Sequence, residues 1–363
     1  MRALLFLLMT LTAAASPLAF IGTYTRTTSR GIYAVRLDPA TGALSAPVLV
    51  AETPNPSFLA FTPDRKILYS AGESTAMAVP FATDLVQGTL RPLQPPQPSG
   101  GVAPCHLAVD PSRRALVVAN YHTGIVAAIA IGPDGTLGPP HVVPHSGHSV
   151  DPVRQTSPHV HSVTFSPDGR FVIVCDLGLD RIFTYRLDAA TAQLTPAAPA
   201  FVATAPGSGP RHFAFGTDGG HAYALTEMGN TVTAYTYDPA TGALAPQQTL
   251  STLPADFKGV SHGAEIRVHP NGRFVYASNR GHDSIAVFAI DAVSGRLTLV
   301  EIAPCGGQNP RNFALTPDGR WLLCANQNSN SLTVLRVDSQ SGRLSLTGAS
   351  ASVPLPVCVL FAP

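Results

Sequence analysis

"SPDGRFVIVCD", residues 166–176, sets a Pro-Asp-Gly turn directly against an apolar, β-branched run. Proline presets φ, aspartate bonds to its own backbone and glycine accepts a left-handed conformation, so the triplet makes a tight turn. The apolar runs on either side then read as the two strands of a hairpin. Five relatives recur along the chain: "TPDRKILYSAGE" at Pro63, "DPSRRALVVAN" at Pro111, "GTDGGHAYALTE" at Thr217, "HPNGRFVYASN" at Pro270 and "TPDGRWLLCAN" at Pro317. The spacings between these anchors are 48, 56, 50, 53 and 47 residues. Each hairpin is followed by further turns and strands, as in "NTVTAYTYDPATGAL" from Asn230 and "DSIAVFAIDAVSGRL" from Asp283. No stretch sustains a helical period.

Four strands in about 50 residues, repeated along a chain, describe the blades of a β-propeller. The ends supply one more blade. "LPVCVLFAP" at the C-terminus superimposes on "NPRNFALTP", while the N-terminal "LAFIGTYT" begins at the equivalent of a second strand. Joined, they complete a shared blade and remove the open sheet edge that a linear array would leave. The expected fold is therefore all-β: a seven-bladed propeller of four-stranded antiparallel blades, closed by strands from both termini.

Composition sets the bounds. The chain has 363 residues, 45% hydrophobic and 12% charged, with a formal net charge of +1. That is too apolar for disorder, and too nearly neutral for nucleic acid or an anionic membrane to be a partner. The opening "MRALLFLLMTLTAAASPLAF" reads as a secretory signal over residues 1–16, ahead of a propeller domain over 17–363. Pro17 interrupts the apolar stretch before it could span a bilayer. Export is the expectation, and a cytoplasmic location follows if that reading fails. Five cysteines are too few and too scattered for a disulfide scaffold, and allow one or two bridges at most. Cys175, Cys324 and Cys358 lie in apolar runs, as small buried hydrophobes do.

Two rings of positions carry the functional reading. Six residues before each anchor, at the head of the innermost strand, stand Ser57, Cys105, His161, Arg211, Ala264 and Arg311, with Val357 in the closing blade. Nine or ten residues after each anchor stand Glu73, Asn120, Asp176, Glu227, Asn279 and Asn326. Adjacent strands are antiparallel, so both rings converge on one end of the central channel. His161, Arg211 and Glu227 form the expected catalytic trio. His159, Asp176, Arg280, Arg311 and Asn326 are the expected substrate contacts, the arginines because a guanidinium grips a carboxylate or phosphate bidentately. The longest interval holds His141, His145, His148, His159 and His161. His-x-His on a strand raises zinc, but no Cys or acidic set completes a ligand pattern, so no metal is expected. This insertion reads instead as a loop over the channel mouth. "GVSHG" at 259–263 matches a hydrolase elbow, yet that motif works only as a strand-to-helix turn.

"FIGTYT", "GIYAVRLDPATGAL", "VANYHTG", "SPHVHSVTFSPDGRFVIVCDLGLD", "GPRHFAF…LTE", "YASNRGHDSIAVF" and "NPRNFALTPDGRWLLCANQNSNSL" resemble the seven-bladed propeller lactonases. That family includes bacterial 6-phosphogluconolactonases and the fungal carboxy-cis,cis-muconate lactonizing enzyme. The resemblance runs from about residue 19 to the end. It implies hydrolysis of a sugar-acid or related lactone without cofactor or metal, with active-site groups on His161 (or His159), Arg211 and Glu227. A further arginine falls on Arg280 or, less directly, Arg311. His161 is the expected general base, with Glu227 orienting it or acting as base itself. Arg211 would stabilise the oxyanion, while Arg280 and Arg311 hold the acidic group. An exported enzyme would not meet a phosphorylated lactone made in the cytosol, so a non-phosphorylated substrate or a cytoplasmic location follows. A non-catalytic exported binding propeller and a muconate-type cycloisomerase are the competing readings.

Overall fold

A computed structural model describes residues 16–93 and 95–362. Seven antiparallel sheets are built from strands taken in chain order, and none of the described residues is helical. Blades 1 to 6 have inner strands Pro56–Phe61, Pro104–Val109, Val160–Phe165, Pro210–Phe215, His262–Val268 and Pro310–Leu315. Blade 7 is the shared one. Its inner strand, Pro356–Ala362, pairs with Leu18–Thr23 in the register Leu18 to Ala362 and Ile21 to Val359. The leader read over residues 1–16 lies, but for Ser16, outside the described residues.

The second strand of each blade is hemmed in by a strand on either side and by a neighbouring blade on each face. Phe171–Asp176, Trp321–Asn326 and Leu18–Thr23 are buried at every position, which is why they read as unbroken apolar runs. The outermost strands face water and alternate, as Gln193–Ala203 does. Packing is between blades: Trp321, Leu323 and Ala325 of blade 6 meet Ile21, Val35 and Phe361 of blade 7. The larger of these side chains, such as Leu323, Ile21 and Phe361, each contribute roughly 1.5–3 kcal/mol on leaving water. Polar pins cross the same seams. Tyr69, Tyr223 and Tyr276 donate from buried hydroxyls to the carbonyls of Gly135, Gly295 and Gly342 in the next blade, at 2.9, 3.0 and 2.9 Å. All five cysteines are free thiols.

The anchor turns behave as their chemistry requires. Gly169, Gly219 and Gly319 each hold φ near +70°, and Gly272 holds +73°. In the two turns that lack the glycine, Arg65 and Arg113 take the same left-handed conformation, at +61° and +65°. A side chain at Gly219 meets no atom closer than Pro167 at 4.0 Å, whereas one at Gly319 would overlap the His269 ring. Gly219→Ala should therefore cost only the left-handed backbone penalty, about 1 kcal/mol. Gly319→Ala should add overpacking and cost roughly 2–3 kcal/mol. Urea unfolding of the two variants measures the difference, and equal losses would contradict it.

Candidate active site

Each inner strand opens with a β-bulge. Val160 pairs with Asp176 and Ser162 with Cys175, so His161 has no partner across the ladder. The same skip leaves out Arg211 between Pro210 and His212, Arg311 between Pro310 and Asn312, and Ser57 between Pro56 and Phe58. Cys105 and Val357 are skipped likewise, and blade 5 shifts register between Gly263 and Ile266. A bulge re-aims the extra side chain, here toward the channel axis. The local sequence dictates it: Pro56, Pro104, Pro210, Pro310 and Pro356 cannot donate to the ladder and so open their strands. Asn55, Ala103, Gly209, Asn309 and Leu355 precede them at positive φ.

The second ring differs by one residue from its expected phase. The position nine after the anchor carries Asn120, Asp176, Asn279 and Asn326, all fully buried and bonded within the blades. Asp176 accepts from His145 Nδ1 at 2.6 Å and from the backbone N–H groups of His159, Gly178 and Leu179. Asn326 donates to Thr333 Oγ1 at 2.9 Å. Neither lines the mouth, so both leave the set of expected substrate contacts. The position ten after the anchor does line it: Glu73, Tyr121, Glu227, Arg280 and Gln327, with Tyr24 from the closing blade. Successive strand residues face opposite ways, and one step exchanges a blade clamp for a channel wall.

The mouth is a cavity of about 410 Å³. At its floor Glu227, a carboxylate with 6% of its side chain exposed, gathers three guanidiniums. Arg211 Nε lies 3.0 Å from Oε2, Arg280 Nη2 lies 2.8 Å from Oε2, and Arg154 Nη2 lies 2.6 Å from Oε1. His161 Nε2 stands 3.8 Å from Oε2, beyond a direct hydrogen bond. Across the cavity, Arg311 donates to the Tyr24 hydroxyl at 2.9 Å, and that hydroxyl donates to Glu73 at 3.0 Å. Arg26 covers the Tyr24 ring at 4.2 Å. The structure thus brings His161, Arg211, Glu227, Arg280 and Arg311 to one opening. His159 stands behind it, stacked on Tyr121 at 4.5 Å, with Nδ1 3.0 Å from the Tyr121 carbonyl.

Electrostatics follow from this geometry. Burial alone would raise the Glu227 carboxyl, but Arg280, Arg211, His161 and the Arg154 hydrogen bond hold it well below the usual carboxylate range. Burial, then the charge of Arg211, pushes His161 well below the ordinary imidazole value, so it is neutral at pH 7. Burial also lowers Arg280, which Glu227 counters and Arg211 and Arg311 reinforce, to about 9, still cationic at neutral pH. Five guanidiniums (Arg26, Arg154, Arg211, Arg280, Arg311) face two carboxylates (Glu73, Glu227), an excess of three positive charges.

Arg154, Tyr121 and Tyr24 were not among the expected contacts. The tyrosines follow from correcting the phase of the second ring. Arg154 belongs to the insertion between blades 2 and 3 and has no repeat equivalent to reveal it. The histidines of that insertion do not converge: His145 lies between Asp176 and Tyr185, and His148 Nδ1 faces Ser149 O. The opposite end of the channel opens into a larger cavity of about 760 Å³, walled by Phe61, Phe165, Phe215 and Phe361. Its one buried carboxylate, Glu265, is occupied by His212 at 3.2 Å, by Asn312, by the Ile266 N–H and by the half-exposed Arg267, whose Nε lies 3.4 Å away. Three guanidiniums converge on one carboxylate at the smaller, upper mouth.

Residues 18–361 match the family described as lactonase, 7-bladed beta-propeller. The chain is 38% identical to the 6-phosphogluconolactonase of Bacillus subtilis over 347 residues, 95% of this chain and 98% of that protein. It is 32% identical to the 6-phosphogluconolactonase of Formosa agariphila, over 82% of this chain and 85% of the other. The solved structure of a periplasmic gluconolactonase from Pseudomonas aeruginosa superposes with a TM-score of 0.90 at 37% identity, covering 96% of this chain and 99% of that one. The chain belongs to the seven-bladed β-propeller lactonases. By class it is a hydrolase of cyclic carboxylic esters.

Because the native carboxyl of Glu227 is depressed, its contribution to stability is full above the ordinary carboxylate pKa and is lost as pH falls through the native value. Glu227→Gln leaves buried guanidiniums without their counter-charge and should cost roughly 3 kcal/mol or more at pH 7. The gap between wild type and variant should narrow below about pH 4. Thermal unfolding from pH 3 to pH 8 tests this, and a gap that does not change with pH would refute it.

Proposed function

We propose that the upper mouth is where this lactonase opens its substrate, with Glu227 and His161 flanking the attacking water. The observation that carries the reading is the carboxylate of Glu227 and the neutral imidazole of His161, 3.8 Å apart at the floor of a cationic pocket. A water held between Nε2 and Oε2 has an acceptor on either side, so its proton has somewhere to go as its oxygen attacks the lactone carbonyl. Arg280 is the better placed oxyanion donor, being 12% exposed and directed into the cavity. Arg211 is only 3% exposed, and its Nη1 is committed to the Ala264 carbonyl and to His212. Its role in this reading is to hold Glu227. Arg311 and Tyr24 form the far wall and meet the hydroxyl or acidic groups of the substrate.

The excess positive charge favours a lactone of a sugar acid. Relatives named for 6-phosphogluconolactone and for gluconolactone bracket the substrate class. Export to the periplasm is the location we favour, supported by the leader-like N-terminus and the periplasmic relative. Mass spectrometry of the mature protein should find a new N-terminus near Ser16, and an intact Met1 in exported material would reject the leader.

Kinetics on glucono-δ-lactone, 6-phosphogluconolactone and muconolactone test the chemistry. Acid release from one of the first two is expected. Glu227→Gln and His161→Ala should each lower kcat by about 100- to 10,000-fold. Wild-type turnover by either variant would remove that residue from the mechanism. Interconversion of muconolactone without net acid would favour a cycloisomerase.

A further inference from the structure

Arg154 differs from every other group on Glu227. The side chains of Arg211, Arg280 and His161 are 3%, 12% and 6% exposed, whereas that of Arg154 is 36% exposed. Its backbone is nonetheless pinned. Asp151 Oδ1 accepts from the N–H groups of Val153 and Arg154 at 2.9 and 2.8 Å. Gln155, wholly buried, donates to the Leu177 carbonyl at 2.8 Å and accepts from the Asp151 N–H at 3.1 Å. Ser149 donates to Asp180 at 2.6 Å. A long, partly exposed side chain thus extends from a fixed base, with its guanidinium at the lip of the mouth between Tyr121 OH at 3.3 Å and Glu227 Oε1 at 2.6 Å.

This position sets up a conflict. A carboxylate held by three guanidiniums is a feeble base, and two of the three are buried beyond easy displacement. We propose that Arg154 is a substrate-sensing cation, which leaves Glu227 Oε1 for the anionic substituent of an arriving lactone and thereby turns Glu227 into a competent base. The idea rests on the lactone-hydrolase reading of this mouth. With Oε1 relieved of its cation, the more basic carboxylate takes one proton from water through Oε2 as the water oxygen bonds to the carbonyl carbon, and the carbonyl electron pair moves onto oxygen beside Arg280. On collapse the ring C–O bond breaks, and the departing alkoxide takes the proton from Glu227. Lactone and water become one hydroxy acid, with the carboxylate restored. The recognised group is an oxyanion, phosphate or carboxylate, because either matches the guanidinium fork. Arg154 acts here as a positioning and specificity residue rather than on the reacting atoms.

The test compares wild type, Arg154→Gln and Arg154→Lys on glucono-δ-lactone, which is neutral, and on 6-phosphogluconolactone and glucaro-δ-lactone, which carry a phosphate and a carboxylate. In Arg154→Gln the preference in kcat/KM for the better anionic lactone over the neutral one should fall about tenfold or more. The kcat for the neutral lactone should rise severalfold, and its acid limb should move up by about one pH unit, because a cation has been removed from beside Glu227. Arg154→Lys should recover part of the preference. An equal loss on neutral and anionic lactones, or an unmoved acid limb, would overturn the proposal. Calorimetric titration with 6-phosphogluconate, glucarate and gluconate provides a second readout. The tighter binding of the anion with the extra charge should weaken about tenfold in Arg154→Gln, while gluconate binding changes little. Uniform weakening would overturn it. The anion whose binding falls more identifies phosphate or carboxylate as the sensed group. If wild type opens no lactone, the hydrolase reading fails, and with it base release, whereas the titration still decides whether Arg154 reads the anion.

Discussion

A single residue without a ladder partner, at the head of each inner strand, is the feature on which the site depends. Seven sheets in a closed ring leave only their outermost strands as edges and bury their second strands on both faces, which makes the frame rigid. A regular ladder in that frame would send alternate side chains into the seams between blades. The bulge breaks the alternation once per blade and turns one extra side chain toward the axis. Six of the seven sheets carry the skip at the same repeat position, and the fifth carries it within two residues. His161, Arg211 and Arg311 are therefore placed by backbone geometry, and their rotamers have little freedom left.

What fills the ring sets its chemistry. Glu227 is buried, and burial by itself would favour the neutral acid. Arg154, Arg211 and Arg280 reverse that preference, and the carboxylate they share in turn offsets part of the repulsion among the guanidiniums. The cluster stands as a unit, in which removing either sign leaves the other uncompensated in a poorly solvated place. The same charges that keep Glu227 ionised weaken it as a base, so the arginine nearest to solvent is the one whose movement matters most. At the opposite opening of the channel Glu265 meets a single guanidinium, that of Arg267, and is otherwise satisfied by the His212 imidazole and the Asn312 amide.

Much of this was legible from residue types and spacing. The Pro-Asp-Gly anchors set blade length, and the offset of the two termini showed how the ring closes. The heads of the inner strands were identified from Arg and His at matching repeat positions, because a position six residues before a turn is counted without knowing the strand's pleat. The second ring was harder. Counting nine or ten residues from the anchor merges two positions of opposite facing, and Asp176 and Asn326 were drawn into the mouth with Glu227 although they clamp blade loops. The prolines that open five inner strands are a visible signal of the bulge, but only the pairing shows which side chain it turns inward.

The repeat, the all-β architecture, the closure of the ring and the arginine-histidine layer at one axial end were determined by sequence alone, since turn chemistry and two-residue periodicity are local properties. Which of two adjacent residues faces the channel, and that Arg154 reaches Glu227 across 73 positions of chain, were decided only by tertiary structure. The reason is physical. A bulge shifts facing by a single step that periodicity cannot register, and a loop outside the repeat has no partner positions from which its reach could be read.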